Sequence, residues 1–217
     1  MFAVRQVCEK YLVNGKDIFW EFMDLEKAYD TIDRHGMWQM LRVYGAGGKL
    51  LKAVQSYYVN SRACVQVGND ASEWFKVDVG LRYGCVMSPW LFNVYMDGVV
   101  REVNVTVLGK GLELLRANGG RFEIYQLLFA DDTALAADSE EKLCKTMREF
   151  SRVCERRKLR VNVGKSKVMR GSRYGNGDRM HVIVNGVQLK EVDCFKYLGS
   201  QVAAGGGCER DVVHRMN

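Results

Sequence analysis

The sequence contains one proline, Pro89, and its seven cysteines include no C-x-x-C pair and no cysteine–histidine ligand spacing. A zinc site is therefore not expected, and an odd number of cysteines without a disulfide framework reads as reduced thiols in an intracellular protein. Apolar runs are short: none reaches the roughly 18 residues that span a bilayer, and the first 16 residues lack the apolar centre of a secretory signal. These absences predict a soluble chain of the nucleus or cytoplasm with no membrane partner. Long repeats and low-complexity tracts are also missing. Gly164-Lys165-Ser166 imitates the end of a phosphate-binding P-loop, but that motif needs a glycine where the chain has Leu159, which excludes this class of nucleotide site.

What is present is an ordinary globular composition. With 217 residues, 47% hydrophobic and 27% charged, the chain can bury a core in one or two domains. A net charge of +6 and a pI near 8.9 fit a polyanionic partner such as nucleic acid.

Val4, Val7, Cys8, Tyr11 and Leu12 are spaced for one helix face, which Asn14-Gly15 stops. The short aromatic run Ile18–Met23 predicts a buried strand that carries Asp24 to a sheet rim, where an acid is either a solvated strand end or part of a site. Helices are expected over about 35–44 and again with Leu50, Leu51, Val54, Tyr57 and Tyr58 on one face. Residues 62–67 and 74–79 read as a hairpin turning at Gly68-Asn69-Asp70. A glycine-containing loop over 80–87 then feeds a helix with Ser88 as N-cap and Pro89 first, burying Leu91, Phe92, Tyr95, Met96 and Val99. Such a loop either holds an anion or only makes a tight turn.

Residues 122–130 and 133–137 read as two strands joined by Asp131-Asp132, which sets two carboxylates at a hairpin tip. Like charges there resist ionising together without a cation, so the pair is either a polar turn or a divalent-metal site. Asp138 and Glu141 predict a capping box, followed by a long helix with Leu143, Met147, Phe150 and Cys154 buried. Its Lys142, Lys145, Arg148, Arg152, Arg156 and Arg157 form either a solvated face or a phosphate track. A polar loop over 173–179, short strands near 181–184, 187–189 and 195–202, and a helix start after Gly205-Gly206-Gly207 complete the pattern.

Two strand-borne acidic sites with helices between them fit a split β-α-β layout in which Asp24 and Asp131 meet at one rim. With its pieces in this order, the chain resembles the palm of a reverse transcriptase, in phrasing closest to the non-LTR (LINE-type) retrotransposon enzymes. The matching stretches are FMDLEKAYD at 22–30, the glycine loop and helix of 80–92, Phe129-Ala130-Asp131-Asp132, Asn162-Val163-Gly164-Lys165 and Phe195-Lys196-Tyr197-Leu198-Gly199.

The resemblance implies an α+β fold, a ferredoxin-like sheet with helices on one face. It divides the chain into a fingers remnant (1–16), palm with a fingers-side insertion (17–170), palm and primer-grip region (171–204) and thumb start (205–217). The implied activity is RNA-directed DNA polymerisation by two-metal phosphoryl transfer with Mg2+, for which Mn2+ can substitute. Asp24, Asp131, Asp132 and Lys165 are the implied catalytic residues, and Asp24, Leu25, Asp131 and Asp132 the metal set. Tyr29, Tyr83, Gly84 and Lys165 are the nucleotide contacts, with Tyr29 either a gate against the 2′-hydroxyl or a packing residue, and Tyr83 standing where the family usually has Gln. Ser88, Pro89, Phe195, Lys196, Tyr197, Leu198 and Gly199 are implied to touch template or primer. The implied partners are an RNA template, a DNA primer and dNTPs, with the remaining fingers, the thumb and an endonuclease domain expected outside this stretch. A non-catalytic nucleic-acid-binding remnant and a group II intron maturase relative stay open as alternatives.

Overall fold

The structure is a computed structural model that describes residues 2–109, 111–115, 120–173 and 178–206. The chain starts with α1 (Phe2–Val13) and β1 (Ile18–Met23), followed by the single turn α2 (Ala28–Thr31), α3 (Arg34–Val43) and α4 (Gly48–Tyr58). Four two-residue strands come next: β2 (Arg62–Ala63), β3 (Gln66–Val67), β4 (Asp70–Ala71) and β5 (Phe75–Lys76). The long α5 (Ser88–Thr106) precedes β6 (Leu112–Leu115), β7 (Arg121–Ile124), β8 (Gln126–Phe129) and β9 (Asp132–Ala137). After α6 (Glu140–Arg156) lie β10 (Lys167–Gly171), β11 (Ile183–Val184), β12 (Val187–Gln188), β13 (Lys190–Glu191), β14 (Cys194–Tyr197) and β15 (Ser200–Ala203).

The central sheet runs β13-β10-β1-β9-β8, antiparallel except where β13 joins β10. Its framework in chain order, β1-α5-β8-β9-α6-β10, is the expected split β-α-β-β-α-β layout. Alternation along the strands divides the core in two. Phe19, Met23, Leu135, Ala137 and Val168 pack with Met37, Phe92, Tyr95, Leu143, Met147 and Phe150 of α3, α5 and α6. On the opposite face Ile18, Trp20, Phe22, Ala134, Ala136 and Met169 meet Val4, Val7 and Tyr11 of α1, with Leu112, Tyr197 and Val202. The Trp20 indole N–H donates to Cys8 Sγ at 3.2 Å, which ties α1 to the central strand. Each such large apolar side chain contributes about 1.5–3 kcal/mol on burial, so the sheet is a rigid floor for whatever its rim carries. Helix α3 approaches α5 at Gly98, where a Cβ would lie 2.3 Å from Met40 Sδ.

One charged residue lies inside this core. Glu21 shares the helix-facing side of the sheet with its strand partners Leu135 and Val168, is fully buried, and has no hydrogen-bond partner for either oxygen among the described residues. Burial pushes its carboxyl up to about 8.

Several expected local features come out differently. The strand expected over 122–130 is two: after Ile124 the chain leaves β6 and, from Gln126, pairs with β9. The cause is packing, because Phe122 and Ile124 join the α1 side of the sheet with the β6–β7 hairpin, which the sequence had not indicated. Helix α5 begins at Ser88, not after it: Ser88 is buried, with its hydroxyl 3.3 Å from that of Tyr58, and makes no cap, while Pro89 is the second residue. The cap of α6 is Ser139, whose Oγ accepts the Lys142 N–H at 3.3 Å, and Asp138 instead pairs with the Lys142 ammonium at 2.7 Å. The stripe on α4 is narrower than expected, since Leu51 and Tyr58 are buried but Leu50 and Tyr57 are exposed. The 62–79 hairpin is broken into β2 with β5 and β3 with β4. The basic residues of α6 are largely ion-paired, Lys145 to Glu141, Arg152 to Glu149, and both Arg156 and Arg157 to Glu102, the arrangement of a solvated face. Residues 174–177 of the polar loop, and the helix start expected after Gly207, lie outside the described residues.

Candidate active site

Asp24 leaves the end of β1 at the rim of the sheet, half-buried, and the turn at 162–166 docks onto it. Asn162 Nδ2 donates to Asp24 Oδ2 at 2.9 Å, and the Asn162 amide donates to the Asp24 carbonyl at 2.8 Å. The Asp24 amide donates to Ser166 Oγ at 3.3 Å. Lys165 hangs over the same carboxylate, its ammonium 3.7 Å from Oδ2. Asp24 is thus held by side chain and main chain together, which fixes the direction in which its free oxygen points.

The hairpin β8–β9 brings the other acids to the rim. Its turn is Ala130-Asp131, one residue earlier than expected, because Asp132 already pairs with Phe129 as the first residue of β9. Ala130 takes the positive φ of 55° that this tight turn requires, a conformation that costs a non-glycine residue about 1–2 kcal/mol. Burial pushes the Asp132 carboxyl above the usual carboxylate range, and the charges of Asp131 and Asp24 push it the same way. The Asp131 charge also adds to burial in raising the hydroxyl of Tyr29. The three aspartates therefore share one field, with Tyr29 inside it.

An open cleft of about 730 Å³ is lined by Asp24, Leu25, Glu26, Lys27, Ala28, Tyr29, Tyr83, Asp131, Asn162 and Lys165. Leu25 puts its side chain into the core, which leaves its main chain to the cleft. The Tyr29 ring stacks on Phe92 at 4.6 Å and stands 6.0 Å from the ring of Tyr83, whose hydroxyl is pushed up by burial and by the nearby Asp30 carboxylate. Tyr29 is also a wall of a second cleft of about 490 Å³, shared with Pro89, Asn93, Phe129 and Ala130. Gly84 (φ 69°) is exposed on the loop and does not line the first cleft. Of the residues expected at template or primer, Pro89 is exposed beside the second cleft, whereas Ser88 is buried. In the β14–β15 hairpin Lys196 and Gly199 are exposed, Phe195 stacks on Phe22 at 4.5 Å, Leu198 takes a positive φ of 49° at the turn and Tyr197 is buried.

Three supporting residues were not expected in the site by the sequence: Ser166, Arg34 and Asn162, the last of which was read only as the start of a matched stretch. The Arg34 guanidinium donates to the carbonyls of Val77, Val79 and Gly80 at 2.8–3.0 Å, fastening the glycine loop behind Tyr29. Gly80 itself (φ 76°) donates to Ile32, and a Cβ there would sit 2.6 Å from the Asp30 carbonyl oxygen. Gly80→Ala is expected to cost about 3 kcal/mol, the sum of a left-handed conformation and a main-chain clash. Urea unfolding of the variant measures this, and an unchanged midpoint would show that the loop is free to move aside.

Oxygen donors at such a rim suit a hard divalent cation. Among the described residues no group of three or more His, Cys, Asp or Glu side chains stands ready-made to hold a metal. The donor set nevertheless fits Mg2+, which is commonly held by one or two carboxylates together with water and substrate phosphates. The mutual repulsion felt by Asp132 is the strain that such a cation relieves.

Strand order, helix placement and a rim of carboxylates beside a nucleotide-sized cleft define this fold as a polymerase palm. The chain belongs to the reverse transcriptase (RNA-dependent DNA polymerase) family, whose family model matches residues 5–202. It is a reverse transcriptase domain of the non-LTR retrotransposon kind, as its motifs had implied. It is 29% identical over 128 residues to a Pol polyprotein of the type-1 retrotransposable element R2 of Nasonia vitripennis, matching 59% of this chain and 12% of that protein. A Popillia japonica R2 polyprotein is 22% identical over 201 residues, 89% of this chain and 32% of its own length. The chain thus spans a third or less of these curated relatives. Among solved structures, apo telomerase of Candida tropicalis truncated from its C-terminal domain superposes with a TM-score of 0.64 at 12% identity, over 94% of this chain and 38% of that one. Telomerase of Candida albicans, in complex with a fragment of telomeric RNA, gives 0.65 at 12% identity, over 93% and 32%. At that identity the likeness establishes the palm-type α+β fold. Reverse transcriptases generally use divalent metal ions. No helix among the described residues is long and apolar enough to cross a membrane.

Proposed function

We propose that this chain is the catalytic palm of an RNA-directed DNA polymerase that adds dNTPs to a primer 3′-hydroxyl on an RNA template. The observation that carries the reading is the meeting of Asp24, from the end of β1, and Asp131, from the β8–β9 turn, on one open cleft walled by Tyr29, with Asp132 in the same field. Phosphoryl transfer asks a protein mainly to position groups and to stabilise charge, and these residues do both. Asp24 and Asp131 would hold Mg2+ or Mn2+ with the Leu25 carbonyl, and Asp132 would support them from the start of β9. Bound there, a metal pair supplies charge neutralisation for the attacking and leaving oxygens. Lys165, over Asp24 and largely exposed, would meet the negative charge of a departing pyrophosphate. Asn162 holds the Asp24 carboxylate by its side-chain amide, and Ser166 holds the Asp24 main chain by accepting its N–H.

Tyr29 presents its ring to the cleft with Phe92 behind it, so that the ring cannot retreat from a sugar lying against it. Tyr29→Ala is expected to raise ribonucleotide incorporation relative to deoxyribonucleotide by about tenfold or more, the scale of a lost steric contact worth 1–3 kcal/mol. Competitive incorporation of rNTP and dNTP measures it, and unchanged sugar selection would reduce Tyr29 to packing. The direct test of the function is extension of a DNA primer on an RNA template with Mg2+ and dNTPs. Template-dependent extension is the expected result. Salt-dependent RNA binding with no extension under any metal would overturn it and leave a nucleic-acid-binding remnant.

A further inference from the structure

The β14–β15 hairpin follows the palm sheet and, by its resemblance, was expected to touch the primer through every residue of 195–199. The side chains divide differently. Lys196 and Gly199 point to solvent, but Tyr197 is 4% exposed, and its hydroxyl turns inward to the catalytic hairpin. The Tyr197 O–H is shared between the carbonyl of Leu127 at 3.4 Å and the carbonyl of Asp132 at 3.3 Å. Leu127 lies on β8 and Asp132 on β9, so one hydroxyl spans the two arms whose turn is Ala130-Asp131. The same ring packs 5.5 Å from that of Phe22, two residues before Asp24, while Phe195 stacks on Phe22 from the same strand. Strand β14 thus backs both carboxylate-bearing strands from the α1 side of the sheet.

We propose that Tyr197 is a positioning residue that sets the Asp131-Asp132 turn against Asp24, and that it is not a contact for the primer strand. The proposal rests on the polymerase reading above. Each of the two contacts is long for an O–H···O bond and weak alone. Their effect comes from geometry: they join main-chain atoms on either side of a two-residue turn, where a small shift is passed directly to the carboxylates. Burial pushes the Tyr197 hydroxyl up to about 12, with the Asp132 charge adding to it, so the group keeps its proton and remains a donor throughout the working range of pH. The exposed face of the hairpin at Lys196 and Gly199 is left as the part that a nucleic-acid strand can reach.

The test is Tyr197→Phe in the full chain, which removes the hydroxyl and keeps the ring against Phe22. Mn2+ binding in the absence of nucleic acid is expected to weaken about tenfold, as for other residues that orient metal ligands through a hydrogen bond. Amide exchange should quicken at residues 128–133 and stay unchanged in β10. Primer–template affinity should be unaltered, and kcat for extension should fall with no change in the KM for primer. Weaker primer–template binding with unchanged Mn2+ affinity and exchange would overturn the proposal in favour of a primer contact. Faster exchange throughout the sheet would overturn it in favour of a general packing role. Wild-type chain without extension activity would count against the polymerase reading alone, since Mn2+ affinity and local exchange still decide the position of Tyr197.

Discussion

Asp131→Asn, and separately Asp24→Asn, should lower primer extension by roughly a thousandfold or more while leaving the fold intact or slightly firmer. The loss follows from charge. An amide cannot hold a hard divalent cation as a carboxylate does, and removing one preorganised electrostatic group from such a centre costs about 10²–10³ in rate, more when a shared cation is lost. The stability expectation has the opposite sign because burial and the neighbouring charges of Asp131 and Asp24 already press on Asp132. Taking away one of the three negative charges removes repulsion that the metal-free protein bears. Thermal unfolding with and without Mn2+ separates the two effects: the wild type should gain stability as metal is added, by ligand linkage, and Asp131→Asn should not. Extension within tenfold of wild type, or a variant stabilised by Mn2+ as strongly as the parent, would remove Asp131 from the metal set.

The second large effect concerns Glu21, three residues before Asp24 and remote from solvent. In the unfolded chain its carboxyl titrates near 4.5, whereas burial in the sheet holds it protonated up to about 8. The folded state therefore binds the proton more tightly. The stability that accompanies this is fully present below pH ~4.5 and is lost progressively as pH rises towards 8, after which it levels. At about 1.4 kcal/mol per pH unit, the loss over that window is on the order of 5 kcal/mol, a large share of the stability of an ordinary domain. Glu21→Gln cannot ionise, so its stability relative to wild type should rise by that slope between pH 5 and 8. Urea unfolding at pH 5, 6.5 and 8 measures the difference. Parallel pH profiles for the two proteins would mean that the carboxyl has found a partner or water.

The parts of this molecule that were legible in the sequence are those whose signal is local. The apolar face Val4, Val7, Cys8, Tyr11 and Leu12 is the buried face of α1, because a 3.6-residue period needs no partner to be read. The run Ile18–Met23 is buried throughout, and Asp24 sits at its end for the same reason. The convergence of Asp24 with Asp131 followed from strand order and the family's motif sequence together. What escaped is what other elements decide. Ser88 has every local mark of an N-cap, but Tyr58 lies against it and the helix starts at Ser88 itself. Leu50 and Tyr57 keep helical spacing on α4, yet both stay exposed, Tyr57 with the Arg82 guanidinium over its ring at 4.5 Å and the Tyr58 edge beside it. Asn162 opens a stretch matched to the family, but its bond to the Asp24 carboxylate is visible only once the fold lays that turn on Asp24. Tyr197 belongs to a stretch matched for primer contact, and the pleat of β14 turns it to the opposite side from Lys196.

The support of Asp24 also has a consequence in time. Its side-chain partner Asn162 lies 138 residues further along the chain, and Ser166 lies 142 residues away. Strand β1 pairs on both edges only with strands from the second half of the protein, β9 and β10. At a synthesis rate of roughly 5–20 residues per second, β1 leaves the ribosome on the order of 10 s before β10 exists to cover its second edge. Throughout that interval the most apolar strand of the palm exposes an unpaired edge, and Asp24 has neither its anchor nor its field. The last strand of the framework to be made is therefore the one that follows the turn supporting Asp24, and partially synthesised chains carry a sticky strand whose terminal aspartate is not yet held.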